Sequence, residues 1–70
     1  MQITSTNNYR YEDGELKSLR VYYQERIEKD ELRETLTGSV VIDGKDYEGK
    51  THEEVIEAVQ AKRDEIKGAA

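Results

Sequence analysis

Between Thr51 and Lys67 the apolar residues Val55, Ile56, Val59 and Ile66 share one stripe, while Glu53, Glu57, Lys62, Arg63 and Lys67 cover the remainder. That period predicts a single amphipathic α-helix. Thr51 with Glu54 three residues later is a capping-box pair, in which each side chain satisfies an orphan backbone N–H of the other residue. Acids gather in the first turns and bases in the last, as the helix dipole favours, and Gly68 is placed as the C-cap.

Upstream the period changes to two. Ile3, Ser5, Asn7, Tyr9 and Tyr11 alternate, which predicts a strand from Gln2 to Tyr11 with a weakly apolar odd face. Leu19, Val21, Tyr23 and Ile27 predict a second strand from about Leu16 to Ile27. Leu32, Leu36, Val40 and Ile42 predict a third, from Leu32 to Ile42. Gly38 interrupts the third row, and Tyr23 is expected to lie over its bare backbone.

Turn chemistry separates the strands. For Glu12-Asp13-Gly14 a three-residue loop with a bulge at Gly14 is preferred to a two-residue Asp-Gly turn, because it brings Tyr9 and Tyr11 onto the face of Leu19. The second turn lies within Glu28-Lys29-Asp30-Glu31. There a two-residue turn sets Glu25 against Glu34 and Arg26 against Arg33, whereas a four-residue loop pairs Glu28 with Arg33. Asp43-Gly44 ends the third strand and would also allow a fourth short strand around Lys45 to Glu48. The expected fold is therefore α+β: a three-stranded (or four-stranded) antiparallel meander with one C-terminal helix on one face. Residues 1–67 form a single domain and residues 68–70 a tail.

Composition narrows the function classes. Seventy residues, 39% charged and 34% hydrophobic, with a net charge of −5, offer about fifteen side chains for a core, close to the minimum for a fold without staples. Partner surface would supply further burial. No apolar run approaches the roughly 20 residues that span a bilayer, and Met1 to Asn8 shows neither the basic start nor the apolar stretch of a signal peptide. Cysteine is absent, which excludes disulfides and thiolate metal sites and fits a cytoplasmic location.

Reactive parts are few. His52 is the only histidine, and no nucleophile-elbow motif surrounds Ser5, Ser18 or Ser39. A metal site from His52, Glu48 and Glu53 would need neighbours at a helix start to converge, and Asp43, Asp46 and Glu48 lack the spacing of a calcium loop. Gly44 and Gly49 stand alone, so no phosphate-binding loop is present. Catalytic residues, cofactors and metals are accordingly not expected. Lys17, Arg20 and Arg26 near Tyr22 suggest a single-stranded nucleic-acid surface, but the acidity of the chain and the lack of a dense basic cluster argue against it. Six acids against Lys45 and Lys50 between Asp43 and Glu57 suit a basic partner, with too many interrupting bases for a DNA mimic.

Binding surface is the better clue. Thr35 to Ile42 carries no charge and no proline, and in a meander the third strand is an edge. Such an edge is either central in another strand order, covered by the helix, or paired with a partner; pairing with a second copy closes as a homodimer. Arg20, Tyr22, Thr35, Thr37, Ser39 and Val41, with Leu16 and Gln24, are placed on the sheet's other face, and its aromatic–arginine composition is that of interaction hot spots. The expectation is a small acidic, non-enzymatic protein–protein interaction module. Its size and acidity are those of phage and mobile-element accessory proteins, many of which bind and inhibit a host protein. The alternatives are a self-assembling structural protein and the single-stranded nucleic-acid binder.

Overall fold

The computed structural model describes residues 1–68. Strands β1 (Gln2–Glu12), β2 (Glu15–Lys29) and β3 (Leu32–Asp43) form one antiparallel sheet in the order β1-β2-β3. A 3-10 turn at Gly44–Asp46 and helix α1 (His52–Gly68) complete the chain. The α+β meander with a C-terminal helix is the architecture that the hydrophobic periods imply. The fourth strand is absent among the described residues: Lys45 and Asp46 lie in the 3-10 turn, whose Gly44 carbonyl accepts the N–H groups of Tyr47 and Glu48. Gly68 is the last helical residue rather than a cap outside the helix, and the rest of the proposed tail lies outside the described residues.

The first hairpin closes differently from the three-residue expectation. Glu12 pairs with Glu15 across a two-residue turn in which Asp13 and Gly14 have φ of 53° and 79°. Two positive φ angles are what a type I′ turn needs, and its twist matches that of the strands. Three register shifts then repair the parity. The extra residues are Thr4 and the Asn8–Tyr9 step on β1, with Asn8 at φ 54°, and Lys17 on β2. Each bulge reverses the alternation beyond it. Arg10 pairs with Ser18, which leaves Tyr9 and Tyr11 on the face of Leu19, although both stay exposed. The Lys17 bulge also turns Leu16 away from the outer face, where alternation had placed it, into contact with the core.

The second hairpin turns at Asp30–Glu31, with Asp30 at φ 56° and Lys29 opposite Leu32. Glu28 faces Arg33, the pairing that avoids like charges, but a two-residue turn achieves it rather than a four-residue loop. Tyr23 does lie over Gly38: a Cβ on that glycine would sit 2.7 Å from the Tyr23 hydroxyl.

Leu19, Val21, Val40, Ile42, Val55 and Val59 are buried, and Met1, Ile3, Leu16, Tyr23 and Tyr47 pack around them half-buried. This core is smaller than the apolar count suggested. Leu32, Leu36 and Ile66 share the apolar rows but are 50%, 43% and 54% exposed. The path of the helix explains why. His52 and Val55 lie beside Ile3 and Thr6 of β1, whereas Ala58, Ala61, Lys62 and Glu65 lie beside Ile42 and Asp43 at the end of β3. On its opposite flank Arg63 meets Glu25, which is paired with Leu36. Helix α1 thus covers the end of the sheet at the Leu19–Ile42 and Val21–Val40 pairs, where Val55 and Val59 join the buried cluster. Ile66, near the helix's C-terminal end, lies outside that cluster. The distal half of the β2–β3 hairpin, in a molecule 51 Å long, runs on uncovered with Ile27, Leu32 and Leu36.

Candidate functional site

Two surfaces adjoin β3, and one is its free edge. Since β3 pairs only with β2 among the described residues, its other side presents backbone groups that no strand pairs along its twelve residues. The flanking charges Glu34 and Asp43 do not interrupt the uncharged run between them. Val40 within the run is only 4% exposed because its side chain enters the core, whereas Thr35 and Thr37 are exposed.

The other is the sheet face opposite the helix. The register brings the six residues singled out from sequence together: Arg20 faces Val41, Tyr22 faces Ser39, and Thr35 and Thr37 face Arg26 and Gln24. Arg20 donates from Nη1 to Ser39 Oγ at 2.9 Å, and Asn7 Nδ2 donates to Tyr22 Oη at 3.3 Å. These bonds hold the guanidinium and the ring against the sheet. Val41 is 41% exposed beside them. Alternation alone missed one feature here. Leu16 leaves this face because of the Lys17 bulge, so the face is more polar than expected.

The other sequence candidates do not converge. His52 is exposed at the first helical position, as are Glu48 and Glu53. No group of three His, Cys, Asp or Glu side chains is arranged to hold a metal ion among the described residues. Lys17 and Arg26 are exposed, and salt bridges place them beside Glu15 and Glu28, which offsets their charge toward phosphate. No helix among the described residues is long and apolar enough to cross a membrane.

Two charged groups are tuned, both on the helix. Thr51 N–H donates to Glu54 Oε1 and Glu54 N–H donates to Thr51 Oγ1, each at 3.2 Å, which forms the capping box. The Thr51 backbone N–H, then its side chain, hold the Glu54 carboxyl below its ordinary value, with Lys50 adding a smaller attraction. Arg63 donates to Glu25 and to Asp64, and these bonds, the Glu25 one foremost, raise its pKa above the ordinary guanidinium value. The Arg63–Glu25 pair is largely shielded, at 17% and 24% exposed, and ties the helix's last turns to the uncovered part of the sheet.

Comparison with protein-family models, with curated proteins and with solved structures finds no match to this chain.

Proposed function

We propose that this chain is a small, acidic, non-enzymatic interaction module that associates through the β3 edge and offers its outer sheet face to a protein partner. The observation that carries this reading is the unblunted edge itself. Natural proteins protect long edges with charges, proline, bulges or covering elements. Here the bulges lie in the β1–β2 ladder, while the β2–β3 register runs unbroken from Ser18–Asp43 to Lys29–Leu32. An unpaired strand of that length and composition is a template for another strand.

The small buried core supports the same reading, because six buried side chains leave apolar residues that association would cover. Arg20, Tyr22, Thr35, Thr37, Ser39 and Val41 form the surface on which a second, different protein would dock. Inhibition of that protein, and an origin among phage or mobile-element accessory proteins, belong to the same proposal through size and acidity alone. A cytoplasmic location goes with it.

Light scattering of wild type and Thr37→Lys tests the proposal. Thr37 is exposed, so lysine there charges the edge without entering the core. A dimer for wild type and a monomer for the variant is the expected result. A monomer for both at high concentration would remove the edge from the account. Affinity capture with an Arg20→Glu and Tyr22→Ala variant tests the outer face, which should lose whatever partner the wild type retains.

A further inference from the structure

We infer that the outer sheet face takes an acidic protein segment, laid along β2 with its carboxylates on Arg10 and Arg20. The inference rests on reading that face as a docking surface and names the chemistry of what docks. Register sorts the charges of this chain unevenly. Five consecutive cross-strand rows of the outer face, from Arg26–Thr35 to Arg10–Ser18–Asp43, hold three arginines and a single carboxylate, Asp43 at the β3 corner. The chain as a whole has sixteen acids and eleven bases. The face is therefore locally cationic on an acidic protein, and it complements negative charge.

The arginines are placed for carboxylates. Arg10 lies opposite Ser18 and is thereby a diagonal neighbour of Arg20, at roughly 7–8 Å between Cβ atoms. Neither is salt-bridged among the described residues. Arg20 donates from Nη1 to Ser39 Oγ, which orients its planar guanidinium and leaves further N–H groups for a carboxylate. Further along β2, Tyr22 and Ser39 border a shallow depression of about 280 Å³ together with Thr4 and Thr37. It seats an intervening side chain among hydroxyls that can bond to peptide groups. Arg26 closes the row about 20 Å from Arg20 along the strand. Its charge is already shared with Glu28 at 4.0 Å, which makes it the weaker contact. A nucleic-acid strand suits this face less. It presents a phosphate at each nucleotide and several bases to stack, whereas the face offers two arginines without carboxylate partners and one ring, Tyr22, tied to Asn7.

NMR titration of the isotope-labelled protein tests this, with short oligoglutamate, oligoglutamine and oligothymidylate as the probes. Oligoglutamate should shift the resonances of Arg10, Arg20, Tyr22 and Ser39 and leave those of the helix in place, while oligoglutamine moves neither set. Arg10→Gln and Arg20→Gln should each weaken binding about fivefold, and Arg26→Gln by less. Arg10 is exposed, so its variant tests the site without disturbing the sheet. Lys62→Gln removes the same charge from the helix and should leave binding nearly unchanged. Four results overturn the acidic segment: no binding, equal binding of oligoglutamine, shifts spread over the helix, or arginine variants that lose no more than Lys62→Gln. Outer-face docking outlives any of these if affinity capture retains a partner that Arg20→Glu with Tyr22→Ala loses. Tighter binding of oligothymidylate than of oligoglutamate overturns both and assigns the face to single-stranded nucleic acid.

Discussion

Thr51 sets the start of the helix with two hydrogen bonds that involve Glu54. Replacing it by alanine should cost about 1 kcal/mol, measured by urea unfolding. The pH dependence has a definite sign. Glu54 has a lowered pKa in the folded chain, so its contribution is complete above the ordinary carboxylate range and is lost as pH falls through the depressed value. In Thr51→Ala the NMR-monitored titration of Glu54 should move back up toward the ordinary value. Gly44 is packed more tightly than Gly38, since a Cβ there would stand 1.9 Å from the Leu16 carbonyl oxygen. That neighbour is backbone and cannot swing aside. Gly44→Ala should cost about 3 kcal/mol or more, near the upper end for overpacked sites. Gly38→Ala should cost less, because the tip of the Tyr23 side chain can move.

Among the elements, the helix was the most legible in sequence, since its cap and stripe are local signals. The capping box, the buried Val55 and Val59, and the cover of Gly38 by Tyr23 all stand as the residues imply. What alternation could not reveal was the bulges. Thr4, Asn8 and Lys17 carry no mark that distinguishes them from ordinary strand residues, yet they set the face of everything beyond. The misread Asp13-Gly14 turn and the misplaced Leu16 both follow from them. The outer-face residues lay where parity put them because the β2–β3 ladder has no bulge. Periodicity also says nothing about where a helix ends relative to a sheet, which is why Ile66 sits on the stripe but outside the core. In a monomeric Thr37→Lys background, Val59→Ala should cost about 2 kcal/mol by thermal unfolding. Ile66→Ser should stay within about 0.5 kcal/mol in the same background.

For the whole molecule, the proposed edge dimer would add burial to a six-residue core and an uncovered half-hairpin. Its unfolding midpoint should therefore rise with protein concentration, and the rise should vanish in Thr37→Lys. The outer face is independent of that contact. Arg20 and Tyr22 are held by Ser39 and Asn7 within one protomer, so Thr37→Lys should leave those two side chains in place although it alters the outer face at Thr37 itself.

The account depends above all on β3 being paired on both sides in solution. Residue-resolved hydrogen exchange across Thr35 to Ile42 observes this directly, because along an antiparallel strand only half of the amides face β2. In concentrated wild type the outward amides should be protected along with the inward ones, and Thr37→Lys should release the outward set alone. Outward amides that exchange in wild type as freely as in the variant would contradict the edge as the working surface of this protein.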